Sequence, residues 1–124
     1  MSYKKLQVWQ LANELVGEIH EMSLTLPGFE MYEEGRQIRR SMKSVKSNIV
    51  EGYGRRRYKQ EYIRFIIFAL SSNDETIDHL ETLYTTKSLT NVSKYQYLSQ
   101  KLNTLGVKIN NFLKAIEKGH QSPK

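Results

Sequence analysis

The sequence has no cysteine and only two prolines, Pro27 and Pro123, among its 124 residues. Because disulfides and thiolate metal ligands need cysteine, both are excluded. Because proline interrupts helices, its scarcity leaves room for long ones. No apolar run approaches the roughly 18 residues of a membrane span, and the first residues lack a signal-peptide core. We therefore expect a cytoplasmic protein without a membrane partner.

Apolar residues recur at three- and four-residue spacing in four segments, which predicts four helices. The last helix is expected to begin at a cap formed by Asn91 or Ser93. Gly52 and Gly54 are expected to end the second helix, since glycine accepts the left-handed cap conformation. The predicted helices cover about residues 6–26, 33–51, 59–87 and 91–118. The second has an apolar stripe of Ile38, Met42, Val45 and Ile49, and the fourth a heptad seam of Leu98, Leu102, Leu105, Ile109, Phe112 and Ile116.

Short connections between successive helices force neighbouring helices to run antiparallel. The predicted fold is therefore all-α: an up-down-up-down antiparallel four-helix bundle over residues 1–118, followed by a flexible C-terminal tail over residues 119–124. The third helix carries a second apolar strip, Ile63, Ile67 and Leu70, beside its main buried face. An apolar surface wider than one stripe predicts burial against two neighbours, one of them in another subunit.

The positive charge of the chain, +6 in total, is concentrated in residues 36–64. This segment holds all seven arginines, and its ten basic and two acidic residues give +8, whereas the other 95 residues sum to −2. Such a local excess indicates a polyanionic partner, although a solvated face paired with acidic residues of another helix or subunit has the same pattern. The predicted nucleic-acid-binding residues are Arg36, Arg39, Arg40, Lys43, Lys46, Arg55, Arg56, Arg57 and Lys59.

The basic segment 55–59 is a poor start for the third helix. Cations at a helix N-terminus oppose the macrodipole by about 0.3–1 kcal/mol each, and the segment has no Ser, Thr, Asp or Asn to cap the helix. Tyr53, Tyr58 and Tyr62 interleave with the cations, a pattern that suits phosphate contacts combined with base stacking. We infer that function or pairing between subunits outweighs the local cost.

No motif in the sequence indicates catalysis or a metal site. His20, His79 and His120 lie on different elements and have no metal-ligand spacing around them. Glu75 precedes His79 by four residues, one more than the Glu-x-x-His element of a di-iron bundle requires. No nucleophile has a base and a third member at a plausible position. We expect a protein without enzymatic activity, metal or cofactor.

Residues 44–55, with the sequence SVKSNIVEGYGR, resemble the signature of the four-helix-bundle proteins encoded within intervening sequences of bacterial 23S rRNA genes. The resemblance extends over about residues 3–115, and the accessory proteins of diversity-generating retroelements are similar. It implies a bundle that forms a homopentamer. In the retroelement relatives, a basic surface engages RNA and the reverse transcriptase. This chain departs from the family pattern at Arg57-Tyr58, where Ser or Thr is common, and over residues 71–76.

Two hypotheses of function follow. The first is an oligomeric, non-enzymatic accessory protein that binds nucleic acid, with RNA favoured, through phosphate contacts of the basic residues. The alternative is an assembly or adaptor module, in which the arginines pair with acidic residues of partner subunits. The candidate acidic partners are Glu14, Glu18, Asp74, Asp78 and Glu81.

Overall fold

Four long helices make up the fold of residues 2–119, the part of the chain that the computed structural model describes. Short 3-10 turns at Tyr3–Lys5 and Gly28–Met31 precede the first two helices. The described residues contain no strand, so the all-α prediction is confirmed. The predicted tail beyond Gly119 lies outside the described residues. The helices are α1 (Gln7–Leu24), α2 (Glu34–Gly54), α3 (Lys59–Thr85) and α4 (Val92–Glu117).

Side-chain contacts between neighbouring helices step along the two helices in opposite directions. Each helix is therefore antiparallel to the next, and the four-helix bundle is confirmed. No helix within residues 2–119 offers a stretch long and apolar enough to cross a membrane. The contacts that fix the directions are Arg39 with Ser23 and Lys46 with Asn13 between α1 and α2, Ser41 with Thr76 and Ser44 with Ser72 between α2 and α3, and Tyr62 with Phe112 and Asn73 with Leu102 between α3 and α4.

The core follows the predicted stripes closely. The four apolar residues of the α2 stripe are fully buried, and so are all residues of the α4 seam except Phe112, which is partly buried. On α3 the second apolar strip is divided. Ile63 and Leu70 pack against the core, whereas the side chain of Ile67 is 45% exposed and that of Phe68 40%. The α4 cap is Asn91, whose side chain accepts a hydrogen bond of 3.0 Å from the Lys94 amide.

The end of α2 differs from the prediction, because the helix continues through both glycines to Gly54. Gly52 is buried inside the helix and faces α3. A Cβ atom at this position would lie 3.1 Å from the Phe65 Cβ and from the Ile66 Cδ1. Glycine is therefore placed here by the close approach of two helices, and not by a left-handed cap.

A charge cluster joins α1 and α4, the neighbouring pair of helices with the least extensive contact. Lys101 donates to Glu18 Oε1 at 2.9 Å and also bonds Glu14, while Tyr97 donates to Glu18 Oε2 at 2.6 Å. Burial alone would raise the pKa of Glu18, but the hydrogen bonds from Tyr97 and Lys101 outweigh it and hold the pKa below its ordinary value. Burial likewise opposes the charge of Lys101, yet its carboxylate partners raise the pKa of this residue.

Candidate nucleic-acid interface

The connection between α2 and α3 consists of residues 55–58 and turns tightly at one end of the bundle. Arg55 is the C-terminal cap residue of α2, and its amide donates to the Glu51 and Gly52 carbonyls. Tyr58 is extended at the start of α3 and makes no side-chain cap hydrogen bond. The uncapped helix start predicted from the sequence is therefore present. Arg55, Arg57 and Tyr58 are exposed, and Arg56 is partly buried.

Two arginines of this connection are held by their own chain. Arg55 Nε lies 3.1 Å from Glu51 Oε2 and its Nη1 3.3 Å from Glu61 Oε1, so two carboxylates reduce the repulsion between its charge and the N-terminus of α3. The Arg56 guanidinium lies 4.0 Å from the centre of the Tyr53 ring and donates to the Tyr53 carbonyl at 2.8 Å. These contacts fix both guanidinium groups without removing Arg55 from solvent.

The other two cations of the segment differ from each other. Arg57 is exposed, and over residues 2–119 its side chain has no hydrogen-bond or ion-pair partner. Lys59 Nζ donates to the Glu117 carbonyl at 3.0 Å, which ties the start of α3 to the end of α4. Arg57 is therefore the cation of this connection that is most available to a ligand, while Lys59 positions the connection against α4.

The predicted nucleic-acid-binding residues of α2 are divided in the same way; they are Arg36, Arg39, Arg40, Lys43 and Lys46. Arg39 donates to Ser23 Oγ at 3.1 Å and to the Met31 carbonyl at 2.9 Å, so it fastens α2 to the end of α1 and the turn that follows. Lys46 donates to Asn13 Oδ1 at 3.0 Å and lies 5.9 Å from the centre of the Trp9 ring. The other three residues are exposed, and we call them the α2 row: Arg36, Arg40 and Lys43.

Five lysines that the sequence reasoning did not select lie at the same end of the bundle as the α2–α3 connection. The antiparallel arrangement brings together the start of α1, the end of α2, the start of α3 and the end of α4. A hydrogen bond of 2.9 Å from Gln10 Nε2 to the Lys4 carbonyl holds the N-terminal turn in place. We name the resulting group the bundle-end cluster: Lys4, Lys5, Arg55, Arg56, Arg57, Lys59, Lys108, Lys114 and Lys118.

The bundle-end cluster contains nine basic side chains, and the acidic side chains near it are Glu51, Glu61 and Glu117. Two helices begin at this end and two finish there, so the helix dipoles largely cancel. The positive potential therefore comes from the side chains themselves. Adding the lysine positions to the predicted antiparallel topology would have revealed this cluster from the sequence, because topology decides which helix ends meet.

One member of the α2 row, Arg40, has an acidic neighbour on α3. Arg40 and Glu75 line the same shallow groove between the two helices. Asp74, Asp78 and Glu81 are exposed on α3 and repeat at the four- and three-residue steps of the α2 row; we call them the acidic row. Glu75 reduces the positive potential around Arg40, while the bundle-end cluster holds nine basic side chains against three acidic ones.

His79 is a partly buried titratable group that lies close to two carboxylates. Its Nδ1 is hydrogen-bonded to Glu34, and its Nε2 lies 3.8 Å from Glu75 Oε2. The two carboxylates approach different nitrogens of the ring, so they do not converge on one point. Within the described part of the chain, no group of three or more His, Asp or Glu side chains is placed to hold a metal ion.

Comparisons with known proteins identify similar sequences and folds. The family model of the 23S rRNA-intervening sequence proteins matches residues 4–111. A crystal structure of a protein of unknown function from the S23 ribosomal protein family of Bacteroides thetaiotaomicron has a TM-score of 0.78 to this chain. The two sequences are 22% identical, and the match covers 86% of this chain and 95% of that one, so it shows a shared fold. No curated protein matches the chain significantly.

Proposed function

This chain belongs to the 23S rRNA-intervening sequence protein family, and we propose that it is a non-enzymatic, oligomeric protein that binds nucleic acid, with RNA favoured. The observation that supports the proposal best is the bundle-end cluster. It gathers cations from the N-terminal turn, the α2–α3 connection and α4 at one end of the bundle. A concentration of lysine and arginine on one surface attracts phosphates and releases their counterions on binding.

The chemistry of this surface favours contacts to the nucleic-acid backbone over base-specific recognition. Lysine and arginine contacts to phosphates carry no sequence information by themselves. Tyr58 follows Arg57 directly, and its side chain is 64% exposed, so its ring is available for stacking on an unpaired base. The proposed binding therefore combines strong salt dependence with little preference for sequence.

The exposed apolar residues of α3 support self-association. Ile67 and Phe68 lie on the outer surface of α3, and the Arg64 guanidinium lies 5.4 Å from the centre of the Phe68 ring. An apolar patch of this kind, with polar groups at its edge, is typical of a protein interface. Light scattering coupled to size exclusion should give a mass well above 14.6 kDa. A clean monomer at micromolar concentration would contradict this part of the proposal.

The binding proposal is tested by the salt dependence of affinity for a short single-stranded RNA of mixed sequence. Each phosphate contact contributes a slope of roughly −0.7 in log K against log salt. Replacing Arg57, Lys114 and Lys118 by glutamine should therefore flatten the slope by about 2 if all three contact phosphates. These side chains are exposed and make no ion pair within residues 2–119, so the fold should be unaffected.

A second triple variant, with glutamine at the three positions of the α2 row, is the matched control. It removes the same number of charges from exposed positions of the same protein. If the bundle-end cluster carries the binding, this control should change the slope much less than the first variant does. Equal effects of the two variants would mean that only total charge matters. No binding by the unmodified protein at low salt would refute the proposal.

The adaptor hypothesis has one specific observation in its favour, the shared spacing of the α2 row and the acidic row. Two exposed rows with opposite charge and equal steps can pair between copies of the chain. Glu14 and Glu18, which the sequence also offered as partners, are already bonded to Lys101 in the same chain. The adaptor hypothesis predicts that the α2-row variant loosens the assembly, measured by light scattering, and that neither variant affects nucleic-acid binding.

A further inference from the structure

A groove of about 430 Å³ opens beside the bundle-end cluster, between the N-terminal segment and α4. Its volume lies within the usual range of small-molecule sites, about 300–1,000 Å³. Lys5 and Lys108 line the groove from its two sides, and both are exposed. Leu6 and Phe112 also line it and are partly buried against the core. The groove therefore has an apolar surface and two cations that are otherwise unpaired among residues 2–119.

Two amide side chains, Gln7 and Asn111, complete the lining, and both are exposed. A side-chain amide offers two N–H donors and a carbonyl acceptor in one plane. This is the geometry with which asparagine and glutamine bind the edges of bases. No hydrogen bond of either side chain within the described range competes for these groups. The amides can thus bind a planar heterocycle that lies against the apolar surface.

The groove can bind three chemical features: a phosphate, the hydrogen-bonding edge of a heterocycle, and its flat face. A nucleotide has all three. We propose that this groove binds one unpaired nucleotide of a single strand whose backbone runs over the bundle-end cluster. The lysines bind its phosphates, the amides bind the base edge, and Leu6 and Phe112 contact the base face. The inference rests on the proposed function, and it adds that the protein prefers single strands. In a duplex the base edge is paired and both faces are stacked, so a paired base cannot enter the groove.

The test compares four ligands at one low salt concentration. Three have equal length: a single-stranded RNA carrying 2-aminopurine, its duplex, and a fully abasic strand. The fourth is 2-aminopurine mononucleotide at the same nucleotide concentration. The single strand should bind with a change in 2-aminopurine fluorescence. Because contact with one base is worth about 1–3 kcal/mol, the abasic strand should bind about 5- to 160-fold more weakly. The duplex should also bind more weakly than the single strand.

The variant Asn111→Ala should weaken binding of the single strand about two- to tenfold, the range expected for one or two lost hydrogen bonds. It should leave affinity for the abasic strand unchanged. Asn103→Ala is the matched control, since Asn103 is an exposed asparagine of α4 outside the groove. Asn103→Ala should change neither affinity. Both variants retain all charges, so a change in phosphate binding cannot imitate the result.

The outcomes separate this inference from the proposed function. Equal affinity for single strand, duplex and abasic strand, or equal behaviour of the two asparagine variants, overturns the groove assignment and leaves the proposed function standing. Failure of every strand to bind overturns both. A fluorescence response to the mononucleotide without binding of any strand also overturns the assignment, because the ligand would then be a free nucleotide.

Discussion

Replacing Gly52 by alanine measures how much the fold depends on the close approach of α2 and α3. Alanine is better than glycine in a helix interior by about 0.8–1 kcal/mol. The new Cβ, however, would lie 3.1 Å from the Phe65 Cβ and the Ile66 Cδ1. The Ile66 methyl can rotate away, but the Phe65 Cβ is bonded to the helix backbone, so the helices must separate slightly. Overpacking of this kind costs about 1–3 kcal/mol.

The expected net result for Gly52→Ala is a loss of about 0–2 kcal/mol in the free energy of unfolding, measured by urea denaturation at fixed protein concentration. Gly17→Ala is the matched control, because Gly17 lies inside α1 and a Cβ there would meet no atom within 4 Å. That variant should gain about 0.8–1 kcal/mol. If Gly52→Ala is stabilised as much as Gly17→Ala, the two helices are not in close contact at Gly52 and the reasoning is wrong.

Two further predictions concern the heptad seam of α4 and the charge cluster that joins α1 and α4. Leu105→Ala or Ile109→Ala should cost about 2–5 kcal/mol in denaturant unfolding because both side chains are fully buried. Val107→Ala, at a side chain that is 61% exposed, should cost less than about 0.5 kcal/mol; similar losses for all three would show that the seam is misplaced. Lys101→Met should cost about 1–2 kcal/mol at neutral pH, since Glu18 loses its cation. The pKa of Glu18 is lowered in the folded state, so its contribution is present above the ordinary value of 4.5 and is lost as pH falls through the lower folded value. The stability difference between the unmodified protein and Lys101→Met should therefore shrink in acid, and a constant difference would contradict this account.

The helices and their buried faces could be predicted because the signal for each is local. The apolar spacing of α2 and α4 reports directly on which side of each helix meets the core. Gly52 shows where this reasoning fails. In sequence, a glycine near a helix end has the same appearance whether it caps the helix or allows a neighbour to approach. The contact with Phe65 decides between the two, and Phe65 is on a different helix.

The candidate site was predicted only in part for a related reason. The sequence identified the basic residues of the α2–α3 connection, because they are consecutive. It did not distinguish Arg57, which is free within the described residues, from Arg39, which fastens α2 to Ser23 and Met31. Lysines at the two ends of the chain reach the same surface only through the antiparallel packing. Convergence of distant residues is a property of topology, and local spacing does not reveal it.

The contact of Tyr3 with Trp9 has a practical consequence. Trp9 is the one tryptophan of the chain, and its ring centre lies 5.4 Å from that of Tyr3 in an edge-on arrangement. Tyr3 opens the turn that carries Lys4 and Lys5. The intrinsic fluorescence of the protein is therefore a built-in, label-free signal for the docking of this turn. A strand that displaced the turn on binding would change the polarity around the indole and therefore its emission.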